Sequence, residues 1–507
     1  MALAAPYGAA VAARFPEPAV RYQIPSLAAG RDDFSSAAEV GALMNAIAAR
    51  PDLGLLRISR ISAGRSQQGE AIDAWHFSTG AGRPTVLLVA QQHGDEPAGA
   101  EALLAVAQQL AGGTLAPVLA GIDVVLLPRA NPDGALWSNR LAANGLDINR
   151  DHLLLRTPEA LAQAELTRTY RPVVVVDLHE HTAVGRYLEK FGAIQRNDML
   201  LQYAMTANLP KALTDASENW FRQPLLKAMA REGLSTEWYY TNPTTPTDLR
   251  LNMGGVQPDT GRNVNGLKNA VSILLESRGV GLGKLHLARR IHSHVVAVRS
   301  ILQSAAINAP GLQRLQQEAD AQVVAQACQG RSVVLAGATE LRHELLMLDP
   351  VTGADKPVLV DWNSALLLRP LVTRARPCGY WLDGSAQEAV DRLRQLGVQV
   401  QSFEQASSLE AEIWLEQSRR EIDRPDVLGK VADGQRKIVL VQVALQAQPL
   451  LAPRDSWYVS LGQPMGGLVF AALEPDSQNS YFANRLLADL SSARRVMLAP
   501  ARGMLAP

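Results

Sequence analysis

Apolar positions in the first part of the chain fall into two alternating kinds of run. Thr85 to Ala90 (TVLLVA) is short, β-branched and continuously apolar, the pattern of a strand covered on both faces. Pro97 to Leu110 (PAGAEALLAVAQQL) follows as a predicted helix, with Pro97 suited to a first turn and Gly112-Gly113 to a stop. Asp123 to Leu127 (DVVLL), Val173 to Leu178 (VVVVDL) and Val271 to Leu275 (VSILL) predict further central strands, and Thr157 to Tyr170 predicts a helix between two of them. Strands separated by helices in this way predict an α/β fold: a mixed, mostly parallel central sheet flanked by helices.

After about residue 300 the texture changes. Leu285 to Gln326 reads as largely helical, and from Ser332 onward short apolar runs (VVLAG, KPVLVDW, KIVLVQVAL, GGLVFAAL) are separated by Pro, Gly and Asp. Gly379 to Val400 reads strand, helix, strand. The expected division is a catalytic domain over residues 1–305 and a β-rich α+β accessory region over 306–507.

Composition narrows the function classes. The 507 residues are 47% apolar and 19% charged, a soluble globular profile, and 49 basic residues balance 49 acidic ones. With no basic tract, the chain offers no electrostatic footprint for nucleic acid. No apolar run approaches the roughly 18 to 20 residues of a membrane span. Met1 to Pro18 lacks the basic and apolar regions of a secretory leader, so a cytoplasmic start and an exported, processed chain both stay open. The two cysteines, Cys328 and Cys378, allow one disulfide or two free thiols. Oligomeric state is open.

In open α/β sheets, functional groups collect beyond the carboxyl ends of the strands. At those ends stand His93, Arg129, His179 and Glu276. His93-Gly94-Asp95-Glu96 offers an imidazole and a carboxylate three positions apart at a strand-to-helix turn, and His179 ends another strand. Two His and one Glu, leaving a position for water, form a catalytic zinc set, which implies one Zn2+ per chain. Such an ion acidifies its water toward a pKa of about 7 and polarises a carbonyl.

The order of further motifs is more specific. Asn131-Pro132-Asp133-Gly134, Arg140, Gly145 to Asp151 (GLDINRD), Asp177-Leu178-His179 and Glu276 follow one another. In that order the chain resembles the zinc carboxypeptidases of the carboxypeptidase A type, over roughly residues 75–285. Their signatures are an HxxE pair, an NPDG turn, a downstream Arg, an Asn-Arg pair, a second His after an apolar strand and a late Glu. The resemblance implies a metallopeptidase with His93, Glu96 and His179 on zinc. It makes Glu276 the general base, Arg140 the oxyanion partner, and Asn149 with Arg150 the clamp on a substrate's free carboxylate. Asp177 reads as either a second hydrogen-bond partner for His179 or a strand-end cap.

Two departures concern the substrate. Asp95 stands where digestive members have Arg, and HGDE looks more like the bacterial murein-peptide amidases and related deacylases. The segment LNMGGVQPDTGRN lacks the mobile Tyr of the digestive enzymes, a gap that Tyr239 or Tyr240 fills only from a longer loop. In Pro258 to Asn263, Arg262 is the one cation; pointing inward it favours an acidic side chain, pointing outward it is an ordinary loop residue. The leading expectation is a carboxypeptidase. The alternatives are an amidase or deacylase of murein-type peptides or N-acyl amino acids, and a non-catalytic peptide-binding module. His152 and His181 read as structural or rim residues, and His286, His292 and His294 as solvated or capping ones.

Overall fold

The computed structural model describes residues 6–426, 429–430, 437–501 and 505–506. In chain order the first strands are β1 (Arg57–Arg65), β2 (Ala71–Ser78), β3 (Thr85–Ala90), β4 (Asp123–Leu127), β5 (Val174–Thr182), β6 (Met199–Tyr203), β7 (Thr236–Trp238), β8 (Tyr240–Thr241), β9 (Leu251–Met253) and β10 (Val271–Val280). Eight of them form the central sheet in the order β1-β2-β4-β3-β5-β10-β6-β7. Its middle, β4-β3-β5-β10, is parallel, as is β6-β7, and the remaining pairs are antiparallel.

The continuous apolar runs are explained by two-sided burial. Val86, Leu88 and Ala90 of β3 join a core with the helices Ala98–Leu110 and Leu287–Ile307. Their neighbours Leu87 and Val89 face the opposite way, onto Ala162 and Leu166 of the helix Pro158–Tyr170. Successive strand residues point to opposite faces, so a helix on each side requires every position to be apolar.

The later chain is built differently. After the helices Leu287–Ile307 and Ala309–Ala325 come β11 (Arg331–Leu348) and β12 (Asp355–Ala375), paired antiparallel along almost their whole length. The short runs VVLAG and KPVLVDW are pieces of these two long strands, in which Leu345, Met347, Val360, Trp362 and Ala365 are buried while Leu359, Leu366, Leu367 and Leu371 are exposed. β12 also runs parallel to β9, pairing Trp362 with Leu251 and Asn363 with Asn252. A seven-stranded sheet follows, with Gly379–Leu382 between Trp457–Ser460 and Ala493–Val496.

GGLVFAAL departs from its strand-like reading: Gly466–Leu473 is a helix. Leu468, Val469 and Phe470 enter a core shared by Tyr380 and Leu382 with Ala160, Ala164, Val264 and Leu267 of the earlier region. An apolar run of that length carries no period that separates buried helix from buried strand. Cys328 and Cys378 are joined by a disulfide. No helix among the described residues is long and apolar enough to cross a membrane.

Candidate metal centre and cleft

Three strand ends and one loop build the site. Gln91 leaves β3 with φ of 54°, a left-handed turn, and its side-chain amide donates to the Gly94 carbonyl at 3.1 Å. Gly94 lies so close to the NPDG turn that a Cβ there would stand 1.9 Å from the Gly134 carbonyl carbon. The Asn131 side chain caps that turn by accepting from Gly134 N at 2.9 Å, and Asp133 accepts from Ser66 Oγ at 2.6 Å. The two sequence motifs are thus two faces of one contact, and the contact fixes the corner that carries His93 and Glu96.

His93, Glu96 and His179 are buried, and one ligand atom from each lies within 4.8 Å of the others. His93 Nδ1 stands 2.8 Å from Glu96 Oε1, His179 Nδ1 stands 2.7 Å from Glu96 Oε2, and the two Nδ1 atoms are 3.0 Å apart. On the outer side of each ring a carboxylate faces Nε2: Asp147 Oδ1 at 3.1 Å from His93 and Asp177 Oδ1 at 2.9 Å from His179. A carboxylate there accepts the Nε2 proton and leaves the Nδ1 lone pair pointing inward. Two inward lone pairs beside a carboxylate form a donor set that fits a dication, and zinc takes this mixture of nitrogen and oxygen ligands.

The sheet register brings up the next group. Glu276 of β10 pairs directly with His179 of β5 in a parallel ladder, so both side chains leave the same face. Burial, only partly offset by His179, pushes the Glu276 carboxyl up to about 8. Both residues sit at the mouth of β strands whose apolar stems anchor them.

A cavity of about 350 Å3 opens over these groups, lined by His93, Glu96, Arg140, Asn149, Arg150 and Glu276, with Arg262 and Tyr239 also on its wall. Arg140 reaches Asp147 at 2.9 Å and Glu96 at 3.3 Å. The Asn149 amide nitrogen lies 3.2 Å from His179 Nε2, and its side-chain oxygen accepts from Gly261 N at 2.9 Å. Of the predicted site residues, all but His179 line this one space, and His179 lies behind it against His93 and Glu96.

Arg262 points inward. It is 3% exposed, donates to the Gly255 carbonyl at 2.9 Å, and its Nε finds no partner among the described residues. Burial pushes its guanidinium down to about 10. Tyr239 lines the same cavity, and burial raises its hydroxyl well above the usual range. His181 is on the cavity wall and outside the donor set. His152 bonds Gln92 at 2.8 Å, and Gln92 in turn donates to Asp177 at 2.7 Å. His292 and His294 are buried, not solvated; their helix is covered on more sides than an amphipathic reading allows.

Sequence reasoning left Asp147 without a role, although GLDINRD contains it. A carboxylate within reach of a strand-end histidine is the signal that could have found it.

A pre-organised two-nitrogen, one-carboxylate centre beside a buried carboxylic acid and several guanidinium groups defines a metallohydrolase site. The zinc carboxypeptidase family model matches residues 42–172, which includes His93 and Glu96 and ends before His179. Carboxypeptidase 2 of Trichophyton equinum is 29% identical over 402 residues, covering 77% of this chain and 71% of its own. Carboxypeptidase 2 of Trichophyton rubrum is 28% identical over 397 residues, with the same coverage. A metallo-carboxypeptidase structure from Burkholderia cenocepacia overlaps 54% of this chain and 70% of its own at 16% identity and a TM-score of 0.42. The chain is similar to zinc carboxypeptidases over these stretches, and the likeness supports a hydrolase of the metallopeptidase class.

Proposed function

We propose that the protein is a zinc-dependent carboxypeptidase that hydrolyses the peptide bond next to a free C-terminal carboxylate. One observation carries the reading: the donors of His93, Glu96 and His179 converge within 4.8 Å of one another, and His93 and Glu96 line a cavity with Glu276, Arg140, Asn149 and Arg150. Zinc held there supplies Lewis-acid polarisation of the scissile carbonyl and an acidified water. Glu276, ionised, takes a proton from the attacking water and returns it to the leaving amine. Its burial favours the protonated form, which makes it a good acid in the second half of the cycle.

Arg140 is the fixed positive charge for the carbonyl oxygen as the carbon becomes tetrahedral. Its guanidinium is already held by Asp147, so little reorganisation is needed when charge develops. Asn149 and Arg150 receive the terminal carboxylate, where a planar guanidinium is matched to two oxygens. Arg262, buried without an ion-pair partner among the described residues, gives the cavity a second cation. That supports preference for a C-terminal residue with an acidic or strongly polar side chain.

The Cys328–Cys378 disulfide supports export to an oxidising compartment; cell fractionation that finds the mature chain only in the cytoplasm would count against it.

The test of function is a panel of N-blocked dipeptides with varied last residues, each as free acid and as amide, together with N-acetyl amino acids. The expected result is zinc-dependent release of the last residue from the acids, best for Asp or Glu. Equal cutting of acid and amide, or of internal bonds, overturns exopeptidase action. Faster turnover of the N-acetyl amino acids moves the assignment to a deacylase.

A further inference from the structure

Arg150 does not meet the cavity alone. Its Nε donates to Asp426 Oδ2 at 2.6 Å, and its Nη1 donates to the Asn149 carbonyl at 2.7 Å. Asp426 comes from the segment that follows the strand Ala411–Ile422, far along the chain. Two residues earlier, Arg424 is fully buried, with Nη2 donating to the Arg150 carbonyl and to Asp259 Oδ2, both at 3.0 Å. Asp259 leads into Thr260, whose side chain caps the helix Gly261–Leu267 that carries Arg262. One short arm therefore grips both the Asn149-Arg150 turn and the segment bearing the second cation.

Two roles fit a carboxylate on Arg150: a mimic that occupies the place of the substrate's carboxylate, or a brace that holds the guanidinium from behind. The cavities decide between them. Arg150 borders both the metal-bearing cavity and a neighbouring one of about 370 Å3, whereas Asp426 borders only the neighbouring one. Asp426 is thus outside the space a substrate would fill. With Nε and Nη1 engaged, Nη2 is the edge of Arg150 left for a ligand.

We propose that Asp426 is a positioning residue of the substrate-carboxylate subsite, so that the C-terminal region completes the active site. The inference rests on the carboxypeptidase reading. A buried guanidinium without an anion is costly and adopts whatever rotamer finds one; a carboxylate on Nε keeps Arg150 charged and aimed. The curated relatives' similarity covers 77% of this chain, a stretch too long to fit within residues 1–305, so part of the later region is shared with other carboxypeptidases.

Asp426→Asn, which keeps shape and removes charge, tests this in the full-length zinc enzyme. For a free-acid peptide KM should rise roughly 10-fold or more with kcat little changed, the signature of lost ground-state anchoring. Hydrolysis of the matching amide should be unaffected, zinc content should stay at one per chain, and Asp426→Glu should restore part of the loss. In an Arg150→Ala background, Asp426→Asn should have no further effect. A fall in KM would make Asp426 a competitor and overturn the proposal, as would an unchanged KM or an equal loss on acid and amide. If the unmutated enzyme itself fails to distinguish acid from amide, the carboxypeptidase reading falls first.

Discussion

Two of the buried groups of charged side chains are built on opposite plans. In the later region Glu474 accepts from Tyr380 at 2.7 Å, from Arg495 at 2.9 Å and from Arg374 at 2.7 Å. Arg374 also meets Asp476, and Arg495 also meets Glu412. Each donor there faces an acceptor, so the network closes on itself. At the head of β3 and β5 like atoms face one another instead: two imidazole Nδ1 atoms stand 3.0 Å apart. A closed network holds a fold together. An arrangement whose lone pairs converge is complete only with something bound. Burial and charge alone do not separate structure from function; the direction in which donors and acceptors point does.

The strongest way to break this comparison is His179→Ala. Zinc content should fall from one per chain to near zero and hydrolysis by roughly 10³-fold or more, with metal analysis and peptide assay as readouts; full zinc retention would reassign the ligand. Glu474→Ala should do the reverse. Removing the shared acceptor of two buried arginines should cost about 3 to 5 kcal/mol of stability by denaturant titration, while activity per folded molecule in mild conditions stays near that of the unmutated enzyme. A neutral result would show that the remaining carboxylates suffice.

Glu276→Gln should keep its zinc and lose roughly 10²-fold or more in kcat, the weight of general base catalysis; near-normal turnover removes it from that role. Asp177→Asn should weaken zinc binding by about 10- to 100-fold, the usual effect of losing a histidine's outer carboxylate. Chelator competition reads it directly, and unchanged affinity would leave Asp177 as packing.

The smallest effect concerns Lys268, which belongs to neither plan. It is buried with Thr167 Oγ1 at 2.8 Å as its hydrogen-bond acceptor, and burial pushes its ammonium down to about 7. The unfolded chain, with a lysine pKa near 10.4, then binds more protons between about pH 7 and 10. This group's contribution therefore makes stability rise with pH across that window, by at most about 1.4 kcal/mol per pH unit. Lys268→Met should flatten the slope, and an unchanged slope would show that the amine reaches water.

Much of the catalytic fold was legible because its strands are covered on both faces. TVLLVA and DVVLL give their ends away through an unbroken run of apolar residues, and the rule that sites form beyond such ends led to His93, His179 and Glu276. The NPDG turn was readable as a motif, but its cause, the packing of Gly134 on Gly94, was not. What stayed hidden depends on distant partners. Arg262 is polar in sequence and becomes inward-facing only because Thr260 starts a helix there. Tyr239 could be named with Tyr240 as a candidate, but nothing periodic showed that it reaches the cavity from between β7 and β8. The pairing of Arg150 with Asp426 joins residues 276 positions apart, and no local pattern announces it.

That separation has a consequence for the nascent chain. By the time β10 has been synthesised, all three donors and Glu276 exist, and the central sheet can pair. The counter-ion of Arg150 has yet to be made, as has β12, whose Trp362 pairs beside β9 just ahead of the substrate-facing segment. A polypeptide interrupted before Asp426 would therefore carry a full set of metal donors and an unbraced Arg150. Translation order thus separates acquiring the metal from finishing the pocket, and the segment that carries Asp426 decides when the second happens.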